Sequence, residues 1–132
     1  MGVKPLFVLL CSGEREKLQM AAMMASVAAV SDRPVEMFVS MNAMLAFEKG
    51  KSADERYHGG AFAEAFKEKK APDPVELIGQ GKMLGEMKVY ACSMALDILG
   101  WEMDNLIDEI FDAPLGLTKY LSDAENGDLI TL

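Results

Sequence analysis

Cysteine, histidine and basic charge are all scarce in this sequence, and each scarcity removes a class of function. The chain of 132 residues holds two cysteines, Cys11 and Cys92, and one histidine, His58. Two distant cysteines do not make a disulfide scaffold, and no CxxC pair or Cys/His cluster offers a zinc site. No metal and no cofactor is expected. Thirteen Lys and Arg stand against 21 Asp and Glu, a net charge of −8. Nucleic-acid binding needs a basic stripe, so nucleic acid is not an expected partner. Long apolar runs are missing too. The run from Pro5 to Cys11 is far too short to span a bilayer. Glu14-Arg15-Glu16-Lys17 follows at once, which is not the form of a signal peptide. The expected location is the cytoplasm, without membrane association. A single glycine, Gly13, follows that run and no GK[ST] is present, so the loop is neither a P-loop nor a dinucleotide fingerprint.

What is there reads as alternating strands and helices within one domain, residues 1–132. Pro5 to Cys11 is continuously apolar, as a strand covered on both faces should be. Glu14 to Val30 carries Leu18, Ala21, Ala22, Ala25, Ala28 and Ala29 along one helical face. Val35 to Val39 is a second strand, and Ser40 is the expected N-cap of a short helix through Phe47. Strand, helix, strand at this spacing is a βαβ unit, which builds a parallel sheet. From about residue 48 to 74 the chain turns polar and reads as an insertion or lid over the strand ends. Within it, Ser52 to Glu55 matches a capping box, Gly59-Gly60 is a break, and Phe62 and Phe66 are an i,i+4 pair. His58 in this segment reads as a surface histidine, with a proton donor over the site as the sharper alternative. Asp73-Pro74-Val75-Glu76 starts a helix that ends at Gly85. Asp104 is expected to cap a helix over 105–108, with a brief strand over 109–111. A helix over 114–124 and a last strand over 128–132 complete the pattern. The fold class is a three-layer α/β/α sandwich around a mostly parallel sheet of about five strands.

The stretch from Met87 to Trp101 organises the rest. Lys88 to Ala91 has the character of a buried strand. The period then changes: Met94 with Ile98 and Ala95 with Leu99 are helical i,i+4 pairs, and Gly100 stands at the C-cap. Cys92 falls at the junction. A thiol there lies near unpaired backbone N–H groups and the positive end of a helix dipole, which favour the reactive thiolate. A lone cysteine in an apolar stretch is also a common small packing residue.

The run CSMALDILG, preceded by KVYA, resembles the cysteine motif of the DsrE/DsrF-like sulfur-relay family, in which a strand delivers one cysteine ahead of a Met-rich helix closed by glycine. The resemblance is specific over residues 87–100. In architecture it extends to the N-terminal strand, the PVEMFVS strand and the C-terminal helix and strand, while residues 48–74 match poorly. It implies that Cys92 accepts sulfane sulfur as a persulfide, making the protein a sulfur carrier or sulfurtransferase. It further implies a homo- or hetero-oligomer, often a trimer or hexamer, working with rhodanese-like or TusA-like proteins, and the apolar content of this small acidic domain points to the homo-oligomer. Asp97 matches the family's acidic position and is expected to bond a neighbouring segment or subunit. Eleven methionines in a small acidic domain fit core or subunit-interface filling. Two other readings stay open: a peroxide-reducing or redox-sensing thiol with Cys11 resolving, and a non-catalytic ligand-binding or assembly module. No Thr-x-x-Cys precedes Cys92 to activate a peroxide, which favours the carrier.

Overall fold

Five strands, each four to six residues long except the shortest, stack in parallel. In the computed structural model, which describes residues 3–132, they are β1 (Leu6–Leu10), β2 (Val35–Val39), β3 (Met87–Cys92), β4 (Ala113–Leu115) and β5 (Asp128–Thr131). Their order is β4-β3-β2-β1-β5, and every pair is parallel. The helices are α1 (Arg15–Val30), α2 (Asn42–Leu45), α3 (Ala53–Arg56), α4 (Ala61–Glu68), α5 (Pro74–Leu84), α6 (Ser93–Leu99) and α7 (Leu117–Ala124). The α/β class and the five-stranded parallel sheet agree with the sequence pattern.

The two faces of the sheet are covered unequally. Alternation puts Leu6, Val8 and Leu10, Val35, Met37 and Val39, and Met87, Val89 and Ala91 on one face, each at most 5% exposed. Each large side chain among them contributes roughly 1.5–3 kcal/mol by leaving water. The right-handed steps β1 to β2 and β2 to β3 place α1 and α5 together over this face. The two helices approach closely because small residues meet there. A Cβ on Gly81 would sit 3.2 Å from the Ser26 Cα, and one on Gly85 would collide with the Ala29 carbonyl oxygen.

The step from β4 back to β5 carries α7 over the opposite face. There Tyr120, fully buried, packs its ring 5.7 Å from Phe7 and 4.9 Å from Phe38. Its hydroxyl donates to the Glu36 carbonyl at 2.9 Å. Eight residues of helix do not span five strands, so Lys88 is exposed and Glu36 and Tyr90 are half-buried on this side.

Several local expectations shift. Met41, not Ser40, precedes α2 as its N-cap. The helix expected over 105–108 is a 3-10 turn, Met103–Asn105, whose entry is fixed by the Glu102 amide donating to the Asn105 side chain at 2.8 Å. The strand expected over 109–111 is absent, because Glu109 adopts φ 67° and breaks extension. The strand comes at Ala113–Leu115 instead, which delays α7 to Leu117. Pro114 is tolerated in that strand because β4 lies at the sheet edge. Gly85 ends α5, but in extended rather than left-handed geometry, so close approach to Ala29 is what requires it. Gly100 does take the left-handed C-cap, with φ 69°.

Burial, then the nearby Asp123 carboxylate, raises the pKa of Glu36 above its ordinary value. A carboxyl group with a raised folded-state pKa costs stability once it ionises, so the cost is absent below the unfolded value and complete above the folded one. Glu36→Gln should therefore raise the melting temperature at pH 7, with the gain disappearing below about pH 4. An equal gain at both pH values would show that the carboxylate charge is not the cause.

Candidate functional site

Cys92 is the last residue of β3 and the N-cap of α6, so the expected junction is present. It pairs in register with Leu115 of β4 and is 6% exposed. Ser93 and Met94, the next two residues, are exposed. The first amides of α6 have no acceptors within the helix. On α6 it is Ala95 and Leu96 that turn inward, while Met94 and Ile98 face out. The Asp97 carboxylate is exposed and, among the described residues, has no cation within ion-pair distance. The expected bond to a neighbouring segment is not made within the chain.

Three strands end together at this edge. Leu10, Val39 and Ala91 are register partners across β1, β2 and β3, so Cys11, Ser40 and Cys92 follow at one level. Cys11 is tied there by its amide donating to the Leu132 carbonyl at 2.8 Å and its carbonyl accepting from the Ala43 amide at 3.1 Å. Burial, and then the nearby Cys92, pushes the half-buried Cys11 thiol up from its ordinary pKa. Ser40 is buried between the two. Two strand spacings separate the cysteines by about 10 Å. A disulfide needs Cα atoms within about 7 Å, so Cys11 cannot resolve an oxidised Cys92 without main-chain movement.

The segment over 48–74 folds as α3 and α4 and is fastened to the first turn of α1. The Ser52–Glu55 capping box forms as expected. The Glu16 carboxylate accepts from the Gly60 amide at 2.8 Å and the Ala63 amide at 3.2 Å, capping α4 across the fold. Its own backbone amide first, and then those of Gly60 and Ala63, hold Glu16 below the usual carboxylate range. The Arg15 amide donates to the His58 carbonyl at 2.6 Å, and the Arg15 guanidinium lies 4.8 Å from the Tyr57 ring and 5.3 Å from that of Phe66. Phe66 anchors the segment, whereas Phe62 is exposed at its outer end although the two rings touch at 5.9 Å.

Between this segment and the ends of β1 and β2 lies a cleft of about 1040 Å³, bordered by Ser12, Gly13 and Asn42 on one side and Arg56, His58 and Gly60 on the other. Neither cysteine lines it. His58 is exposed at its rim, the surface position expected for it. Among the described residues no three His, Cys, Asp or Glu side chains converge to hold a metal ion. Among the described residues no helix is long and apolar enough to cross a membrane.

The model of the DsrE/DsrF/DrsH-like family matches residues 44–132, more than half of the chain, and that span contains Cys92. The chain belongs to this family. The matched span includes residues 48–74 and leaves out β1, α1 and β2, the reverse of where the sequence resemblance looked weakest. A solved structure of a protein of unknown function from Methanobacterium thermoautotrophicum has the same fold. The TM-score is 0.58 at 16% identity, covering 98% of this chain and 99% of the other. No curated protein sequence matches the chain.

The sequence pattern did not single out Met41. It follows Ser40 at the edge with φ 52° and ψ −138°, a region that side chains rarely adopt, and is 58% exposed. Holding a non-glycine residue there costs on the order of 1–3 kcal/mol. Met41→Gly removes that cost at a site with little packing to lose, so it should stabilise the fold by about 1 kcal/mol. Urea denaturation measures it; a lower midpoint would show that the Met41 side chain is a packing element.

Proposed function

We propose that the protein is a sulfur-relay protein that carries sulfane sulfur as a persulfide on Cys92. The observation that carries the reading is the position of Cys92, at a strand-to-helix junction inside the span that matches the family. Cys11 lies outside that span, and its thiol is pushed toward the protonated, unreactive form. In the proposed step the Cys92 thiolate attacks the terminal sulfur of a donor persulfide. The donor S–S bond breaks, the donor leaves as a thiolate, and a new S–S bond forms on Cys92. Sulfur changes hands and no external oxidant is consumed. The outer sulfur stands about 2 Å beyond the thiol, which brings it nearer the surface for onward transfer. Burial of the thiol shields it from bulk oxidants between transfers.

Intact-protein mass spectrometry after exposure to a sulfane-sulfur donor tests this. The expected adduct is one sulfur atom, removed by reductant, lost in Cys92→Ser and retained in Cys11→Ser. Sulfenic acid formed rapidly with peroxide, without any persulfide from the donor, would make the protein a redox thiol. No modification under either treatment would leave a binding module in the cytoplasm as the better account.

The protein acts as a homo-oligomer in this reading, with rhodanese-like or TusA-like proteins as donor and acceptor. Support comes from the flank beside edge strand β5, where Met20, Met23 and Val27 of α1 stand exposed around Ile130. Adjacent apolar side chains on that scale mark an interaction surface. Light scattering at micromolar concentration should return a multiple of the chain mass; a clean monomer would remove the oligomer from the proposal.

A further inference from the structure

The Arg15 side chain is nearly buried and makes no salt bridge, although the neighbouring Glu16 carboxylate, already engaged by backbone amides, lies close enough to act on it. The residue is 9% exposed, and among the described residues no carboxylate lies within 4.0 Å of it. Its Nε donates to the Gln19 side chain at 3.1 Å, and among the described residues no acceptor takes the N–H groups of its two terminal nitrogens. Tyr57 does not neutralise it, because burial and then Asp73 push that phenol far above its ordinary pKa and keep it protonated. The terminal nitrogens are not sealed off, so an acceptor from outside the chain can reach them. Tyr57 and Phe66 cover the guanidinium, and the residue opens on a cavity of about 710 Å³ that adjoins the strand-end cleft at His58 and Gly59.

We propose that this cavity binds a small monocarboxylate with an apolar tail, held by Arg15. The planar guanidinium fork matches a carboxylate through two parallel hydrogen bonds. The cavity wall offers Tyr57, Phe66, Ala63 and Ala71 to a flat apolar tail. The remaining charges decide against a dianion. Asp54 is paired with Lys67 at 3.3 Å, and Asp73 accepts from the Val75 and Glu76 amides. Lys70 then stands against Asp73, whose charge these amide bonds do not cancel, and the exposed carboxylates of Glu64 and Glu76, which repel a doubly charged ligand more than a singly charged one. The site does not depend on the chemistry of Cys92.

Benzoate and inorganic phosphate, titrated at constant ionic strength into the isotope-labelled full chain, test this by NMR. Benzoate should give saturable shifts at the Gly59 and Ala63 amides below about 10 mM, with phosphate weaker. Arg15→Lys should weaken benzoate by about tenfold or more, because a point charge cannot replace the fork. Benzoate that does not saturate, binds Arg15→Lys as well as wild type, or binds no better than phosphate would overturn the assignment. The double variant Glu64→Gln, Glu76→Gln alters only exposed side chains and avoids the fold risk at Arg15. It should narrow the preference for benzoate over phosphate; an unchanged preference would refute the charge argument.

Discussion

Leu10, Val39 and Ala91 lie side by side in one level of the parallel sheet; β1 and β2 end there, and β3 ends one residue later at Cys92. That shared ending governs the rest of the molecule. Parallel strands point their carboxyl ends the same way, so the loops that follow them gather at one edge. Cys11, Ser40 and Cys92 are there because of register, not because of their spacing in sequence. The same constraint keeps the two sulfurs apart, since β2 lies between their strands. A site built on this edge has one thiol to use at a time.

The edge divides into two neighbourhoods. Around Cys92, Met94 and Ile98 of α6 face outward beside the exposed Ser93 and Asp97, and Met41 follows the adjacent strand end in a strained turn. Around the ends of β1 and β2 the surface is polar, and the 48–74 segment rises over it. Arg15 and Glu16 fasten that segment through two different forces from adjacent positions on α1. Glu16 completes the open N-terminus of α4, a charge-assisted cap. Arg15 binds by its flat faces to two rings. Its fork is left over, and that remainder is the origin of the cavity argued above.

Where the sequence was legible, a strong local rule agreed with the tertiary structure. The apolar runs gave β1 and β2, the Asp73-Pro74 signature gave α5 its start, and the period change at Cys92 gave the junction at the site. The errors cluster in the 103–117 stretch, where local signals compete. Pro114 looked like a helix start, a common place for proline, but an edge strand tolerates it equally. Ser40 is a better N-cap by type than Met41, yet its place at the strand end buries it between two neighbouring strands. The Arg15–Glu16 clamp was not legible, because it joins residues more than forty positions apart and no periodicity records such a pairing.

The unequal sheet faces bear on why this fold would favour assembly. Parallel sheets normally have both faces covered, because their strands present side chains to either side. Here β3 alternates buried Met87, Val89 and Ala91 with exposed Lys88 and half-buried Tyr90, so its second face is written for partial solvent contact. The apolar excess lies elsewhere, along α1 and the open edge of β5. An edge strand with unpaired main-chain groups and no lysine or proline of its own lacks the usual protection against association. Asp128, held by Arg33 at 2.7 Å, is the only charge on that strand. A contact made at that edge would leave Cys92 free, since β1, β2 and β3 stand between β5 and β4, beside which Cys92 lies. On the proposed reading, association and sulfur exchange would thus occupy opposite ends of one sheet without competing for the same surface.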